Sequence, residues 1–265
     1  MFAPLREAGS LLPGLGWPDT RVLDDIADNC GRRVVNANGV RVRFVAQDAK
    51  PRKVEDAFEP RAFLRGEVLV RRFNWHDLFN ALVWMTFPTA KAALNARHYH
   101  ALSRRTGANR TAEESALTQF DEDGMIVLSA DAGLLDLVRG FRWKTLFWDR
   151  REEVKACMRF LVFGHALYEK ALRPFVGMTG KALLFDVPER VLGAERPELC
   201  AESDRLTALR LWNPEALADP QALAPLPALG VPGWWADNET EGFYDKPAYF
   251  RAGRLRKRVQ ADSSE

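Results

Sequence analysis

Apolar positions along this chain follow two periods, and the switches between them mark its elements. Residues 19–29 carry Val22, Leu23 and Ile26 at helical spacing, opened by Trp17-Pro18-Asp19 and closed by Cys30-Gly31. Residues 41–45 alternate Arg, Val, Arg, Phe, Val behind a turn containing Asn36, Asn38 and Gly39, which predicts a half-buried strand. Residues 50–72 are mixed, with Val68, Leu69 and Val70 extended. In residues 74–87 Trp75, Leu78, Phe79, Leu82 and Val83 fall at i, i+3, i+4, i+7 and i+8. Asn74 is a good N-cap for that helix and Asp77 suits its dipole. Pro88 stops it, and Thr89 caps a second helix to about Arg105, antiparallel to the first across a short turn.

Beyond this pair, residues 112–120 read as helix, Asp121-Glu122-Asp123-Gly124 as a turn, 125–128 as a short strand and 130–140 as helix. Residues 157–163 are almost wholly apolar and predict a buried strand. A helix from His165 to Arg173 follows Gly164 and stops at Pro174; a second apolar strand covers 181–187. This strand-helix-strand unit is compatible with a parallel pair, although the crossover is short. Residues 206–217 read as helix. Residues 220–250, rich in Pro, Gly and aromatics, read as irregular chain burying Trp234, Trp235, Phe243, Tyr244, Tyr249 and Phe250. The expected fold class is therefore α+β. It is a mostly helical single domain over residues 1–250 with a small sheet, residues 193–250 forming a wrapping arm and 251–265 a loose basic tail. A split near Arg110 is the alternative division.

Composition changes this picture little. The chain has 265 residues, 47% hydrophobic and 28% charged, which excludes a disordered or low-complexity chain. No apolar run approaches the ~20 residues of a membrane helix, and the first 18 residues lack a signal-peptide pattern. Cys30, Cys157 and Cys200 are widely spaced and odd in number, so they form neither a disulfide framework nor a zinc motif. A soluble protein of a reducing, cytoplasmic compartment is the expectation.

Charge matters more locally. The formal net charge of +2 hides ten acidic residues between 193 and 245, against six basic ones and no acid between 246 and 258. Arg97, Arg104, Arg105 and Arg110, with Tyr99 among them, form another basic stretch. These patches suggest a non-catalytic binding module for nucleic acid or protein, using that stretch and the tail. A solvated basic face is the plainer reading.

Candidate chemistry gathers at two places. On the helix from Asn74, His76, Asn80 and Asp77 sit at about 0°, 40° and 100° around an otherwise apolar circumference. A polar island on a buried helix needs partners. It is either a capping arrangement or the lining of a polar pocket. His165 stands where an apolar strand passes into a helix, with Glu169 one turn later on the same face. The positive helix end favours its neutral imidazole, the form that accepts protons or binds metal. A His–Glu pair closing the helix start is the alternative.

Together His76, Asp77, His165 and Glu169 would supply two imidazoles and two carboxylates, a set that suits zinc, iron or manganese, with His98 and His100 as further ligands. No His-Glu-x-x-His, phosphate-binding glycine loop or nucleophile elbow occurs, and no cofactor is singled out. His76-Asp77 is the doublet of metal-dependent phosphohydrolases, but the upstream His that such enzymes need is missing. The leading expectation is a hydrolase-like or small-molecule enzyme with catalytic residues among His76, Asp77, Asn80, His165 and Glu169. It requires His76 and His165 within about 8 Å of each other.

Four stretches carry a family likeness. They are 74–84 (Asn-Trp-His-Asp-Leu-Phe-Asn-Ala-Leu-Val-Trp) with Phe87-Pro88 and 91–95; 117–124 (Leu-Thr-Gln-Phe-Asp-Glu-Asp-Gly); 163–170 (Phe-Gly-His-Ala-Leu-Tyr-Glu-Lys) with 181–183; and 230–235 (Gly-Val-Pro-Gly-Trp-Trp) with Asn238, Phe243-Tyr244 and Phe250-Arg251. Together they resemble the bacterial family called domain of unknown function 3025. The resemblance implies a cytoplasmic, single-domain protein and no particular reaction, cofactor or catalytic residue.

Overall fold

The computed structural model describes residues 1–14, 16–47 and 53–253. A short helix α1 (Arg6–Ser10) leads to α2 (Thr20–Asn29), where the Asp19 carboxylate accepts from the Val22 N–H at 3.0 Å, as the sequence predicts. Strands β1 (Arg43–Ala46) and β2 (Glu67–Val70) then pair in parallel across α3 (Phe58–Arg65). This helix lies in the stretch whose pattern was mixed, because only Pro60, Ala62 and Phe63 of it are buried.

The helix predicted from Asn74 is α4 (Trp75–Thr86), with the Asn74 side chain accepting from Asp77 N–H at 2.9 Å. The next helix, α5 (Pro88–Arg104), corrects the expectation at its start. Helix α4 does end before Pro88, but Pro88 is also the first residue of α5, and Thr89 is not its cap. Proline suits the first helical position because its missing N–H would be unpaired there anyway. The free N–H groups of Thr89 and Ala90 are taken at 3.2 and 2.7 Å by the fully buried carboxylate of Asp204, more than a hundred residues away.

Helix α6 (Ala112–Asp123) opens with a reciprocal capping box between Thr111 and Glu114. It runs straight through the expected turn, so Asp121 and Glu122 are helical, and it passes without a loop into β3 (Gly124–Ser129). After α7 (Ala132–Arg139) and α8 (Arg151–Cys157) come β4 (Met158–Val162), α9 (His165–Ala171) and β5 (Thr179–Asp186). Then follow α10 (Glu189–Leu192), α11 (Arg196–Trp212) and β6 (Ala224–Pro227). The last long helix thus begins ten residues before the predicted 206, behind Pro197 in its first turn.

The main sheet has the order β4-β3-β5-β6. β4 is antiparallel to β3, whereas β5 is parallel to it, so β4 and β5 lie on opposite sides of β3 and are not partners. The expected parallel pair is therefore corrected: β3 occupies the place between the two strands, and β4 and β5 run in opposite directions on either side of it. β3, at the centre, is buried at every position. The segment after α11 does bury its aromatics, Phe243, Tyr244, Tyr249 and Phe250 included, while Trp234 and Trp235 are half-buried. Residues of the expected basic tail beyond 253 lie outside the described residues.

One backbone contact ties the site-bearing elements together. The N–H groups of Phe163 and Gly164 both donate to Gly124 O at 2.9 Å, joining the start of α9 to the end of α6. A Cβ on Gly164 would stand 2.3 Å from Gly124 N and 2.4 Å from Glu122 O. No side chain fits there. Replacing Gly164 by Ala is expected to destabilise the protein by about 1–3 kcal/mol through overpacking. The open-space substitution Gly107→Ala should stay within about 0.5 kcal/mol. Urea unfolding of the two variants is the measurement, and equal midpoints would contradict the close approach.

Candidate functional site

The junction at Gly124 and Gly164 sets the site. It brings His165, the first residue of α9, beside Asp121 and Glu122 in the last turn of α6. Helix α4 packs against α9 and adds His76 from its first turn. The two imidazoles meet edge to face with Nε2 atoms 2.9 Å apart. That is well inside the 8 Å required, and it puts His76 and His165 in one place. Glu169 does not pair with His165 on its own helix. It crosses to His76, where Nδ1–H donates to Oε2 at 3.1 Å. Glu122 Oε1 stands 3.9 Å from both Nε2 atoms.

These contacts leave a conflict over protons. A carboxylate only accepts, so His76 Nδ1 carries its hydrogen toward Glu169, and in neutral His76 the Nε2 atom is a bare lone pair. His165 can then donate from Nε2, but its own Nδ1 becomes a lone pair lying 3.8 Å from Asp121 Oδ1, buried and without a hydrogen bond. If His165 instead keeps its hydrogen on Nδ1, two Nε2 lone pairs face each other at 2.9 Å. A cation between the Nε2 atoms, a proton or a metal ion, removes this clash of lone pairs and turns His165 Nδ1–H toward the charge of Asp121. One Nε2 of each histidine and one oxygen of Glu122 lie within 4.8 Å of one another, so these three residues can hold such an ion.

Burial shapes the charges around this pair. His165 is 4% exposed, and burial pushes its imidazole down to about 3, against the upward pull of Asp121. Burial alone would push the Asp121 carboxyl up, yet Lys91, His165 and His98 hold it at about 2. Lys91 reaches Asp121 at 2.5 Å and Asn80 Oδ1 at 2.9 Å, and it is itself 2% exposed. Burial, with Asp121 and Asp123 nearby, raises the Glu122 carboxyl.

The structure therefore joins His76, His165 and Glu169 directly and places Asn80 one step away through Lys91. It leaves Asp77 out: both oxygens of that carboxylate bind the Arg71 guanidinium at 2.8 Å, and one also accepts from Arg71 N–H. Asp77 does not cap the helix, whose N-cap is Asn74; it ties Arg71 to the first turn of α4. The sequence missed Glu122, Asp121 and Lys91. The two acids are hidden in an Asp-Glu-Asp-Gly string that reads as turn chemistry, and Lys91 lies in the first turn of α5 with nothing to mark it as buried. His98, named as a further ligand, lies on the wall of the cavity but outside the ligand cluster. His100 instead meets the rings of Phe63 and Tyr99 edge to face.

His76, Asp77, Asn80, His98, Asp121, Glu122 and His165 all line one cavity of about 450 Å³, rimmed by Arg71, Arg105 and Arg110. The basic stretch is not a continuous solvated face. Arg97 is 7% exposed and binds Glu113 together with the carbonyls of Leu211, Asn213 and Pro214, where it caps the end of α11. Arg104 and Arg105 pair with Glu113 and Glu114.

Fold and cavity together define an α+β protein with a His/carboxylate cluster on the wall of a polar pocket. A family model described as "Protein of unknown function (DUF3025)" matches residues 42–254, a span that holds every residue of the cluster, and the chain belongs to that family. No curated protein and no solved structure matches it. Among the described residues, no helix is long and apolar enough to cross a membrane.

The depressed His165 has a consequence for stability. Between its ordinary value of 6.5 and about 3, the unfolded chain binds a proton that the folded chain refuses, so stability falls as pH drops through this window. The wild-type urea midpoint is expected to fall more steeply between pH 6.5 and 4.5 than that of His165→Asn. In NMR spectra the His165 ring should keep its neutral signature at pH 5. A ring titrating near 6.5 would contradict this reading of its burial.

Proposed function

We propose that this protein is a hydrolytic enzyme acting on a small polar molecule in the cavity, with water activated at the His76–His165–Glu122 cluster. The observation that carries the proposal is the approach of two Nε2 atoms to 2.9 Å, with no arrangement of neutral rings that satisfies both histidines. A third donor, Glu122, is near equally spaced from them and favours a metal ion over a shared proton. Two imidazoles and one carboxylate with open positions suit zinc, iron or manganese. A divalent ion in such a site lowers the pKa of a coordinated water toward ~7 and polarises the bond to be cut.

The chain's own groups supply the rest. Glu169 holds the Nδ1–H of His76 and fixes that ring's tautomer, and Asp121, 3.8 Å from Nδ1 of His165, sets a negative charge beside the second ring. Lys91 keeps Asp121 ionised for that task. The electrophilic carbon or phosphorus lies toward the cavity. Water attacks it, and the proton of the water passes to the departing group.

Metal analysis of the purified protein is expected to find one zinc, iron or manganese per chain. His76→Ala and His165→Ala should lose it, and Glu169→Gln should weaken it about 10–100-fold. A panel of carboxylic and phosphoric esters and amides should reveal hydrolysis that chelator removes. Metal-free protein whose hydrolysis resists chelator assigns the His76–Glu169 pair as a general base instead. Neither metal nor hydrolysis overturns the proposal.

A further inference from the structure

The cavity in front of the cluster has a charge order that the hydrolytic reading does not use. Most acids on its wall are matched within the protein: Asp77 by Arg71, Glu114 by Arg105 and Asp121 by Lys91. Glu59 accepts from the Asn95 amide at 2.6 Å. Arg110 is different. It lines the same cavity, is exposed, and has no acidic partner among the described residues. Arg71, half exposed and lining the same cavity, commits Nε and Nη2 to Asp77 and leaves Nη1 without a hydrogen bond among the described residues.

Deeper in, two groups await a polar partner. His98 is 8% exposed, and its Nε2 is buried with no hydrogen bond. Asn80 has its Oδ1 held by Lys91, and its amide NH2 has no protein partner among the described residues. The volume of about 450 Å³ is that of a small-molecule site. A cationic substrate would meet three guanidinium groups at the entrance. An anionic one would find a planar donor fork matched to phosphate or carboxylate.

We propose that the cavity takes a substrate bearing an anionic head group, a phosphate or a carboxylate. Arg110, with the free edge of Arg71, binds that head group at the mouth. His98 and the Asn80 amide hold polar atoms of the same molecule further in. The substrate class rests on the hydrolytic reading of the His76–His165 cluster, but the anion site can be measured without any turnover.

The test is isothermal titration calorimetry of the full chain at low salt, with inorganic phosphate and with acetate as probes. Phosphate or acetate is expected to bind at one site per chain, and the tighter of the two assigns the head group. Arg110→Gln should weaken that binding at least tenfold, whereas Arg104→Gln, a guanidinium outside the cavity, should leave it unchanged. His165→Asn separates the two readings: the anion should still bind there even where hydrolysis and metal are lost. No binding of either anion overturns the inference, as does wild-type affinity in Arg110→Gln.

Discussion

Everything at this site depends on a place where two backbones touch. Gly164 lies so close to Gly124 that a Cβ on it would stand 2.3 Å from Gly124 N, while Gly124 is kept bare by its own helix, a Cβ there standing 2.2 Å from Phe120 O. That contact lets a helix flow directly into the central strand while a second strand hands over to a helix alongside it. The last turn of α6 and the first turn of α9 therefore share one spot, the former offering carboxylates and the latter an imidazole. β3, buried along its whole length and paired on both edges, makes this junction a rigid one. A loop in either position would have left Glu122 and His165 free to move apart.

The sequence showed one half of this arrangement. Periodicity located α4 and the apolar strands, and the polar island on α4 together with His165 after Gly164 pointed at the right histidines. Each of those signals is local. The other half was not legible, because the pattern that carries it has two meanings. Asp121-Glu122-Asp123-Gly124 has the composition of a turn, and only the pairing of β3 on both sides forces the chain to remain helical up to Gly124. Glu169 shares a helix with His165, so spacing alone paired them. In the fold the Glu169 side chain reaches His76 across the α4–α9 packing instead.

Long-range polar contacts were likewise invisible. Asp204 looked like one acid in an acidic arm. It is fully buried, and it caps α5 at Thr89 and Ala90 while pairing with Arg32 at 2.7 Å. Burial raises its carboxyl, and the backbone N–H of Ala90 and the Arg32 guanidinium oppose that shift. Arg97, read as part of a surface stripe, closes the other end of α11. A buried carboxylate and a buried guanidinium thus lock α11 to α5. Neither residue announces this role, because burial of a charge depends on partners remote in sequence.

The same reasoning separates structural polar groups from functional ones. Asp204, Arg97 and Asp77 are buried charges whose hydrogen bonds are all met by the protein, and such networks fix geometry. The His76–His165 pair is of another kind. Its ring nitrogens cannot all be satisfied by protein groups. The same holds in a milder form for His98 Nε2. A fold that has matched Lys91 to Asp121 and Arg71 to Asp77 has shown that it can resolve conflicts of this type. A conflict left standing on the wall of a cavity is what supports the proposal that a partner from outside the chain completes it.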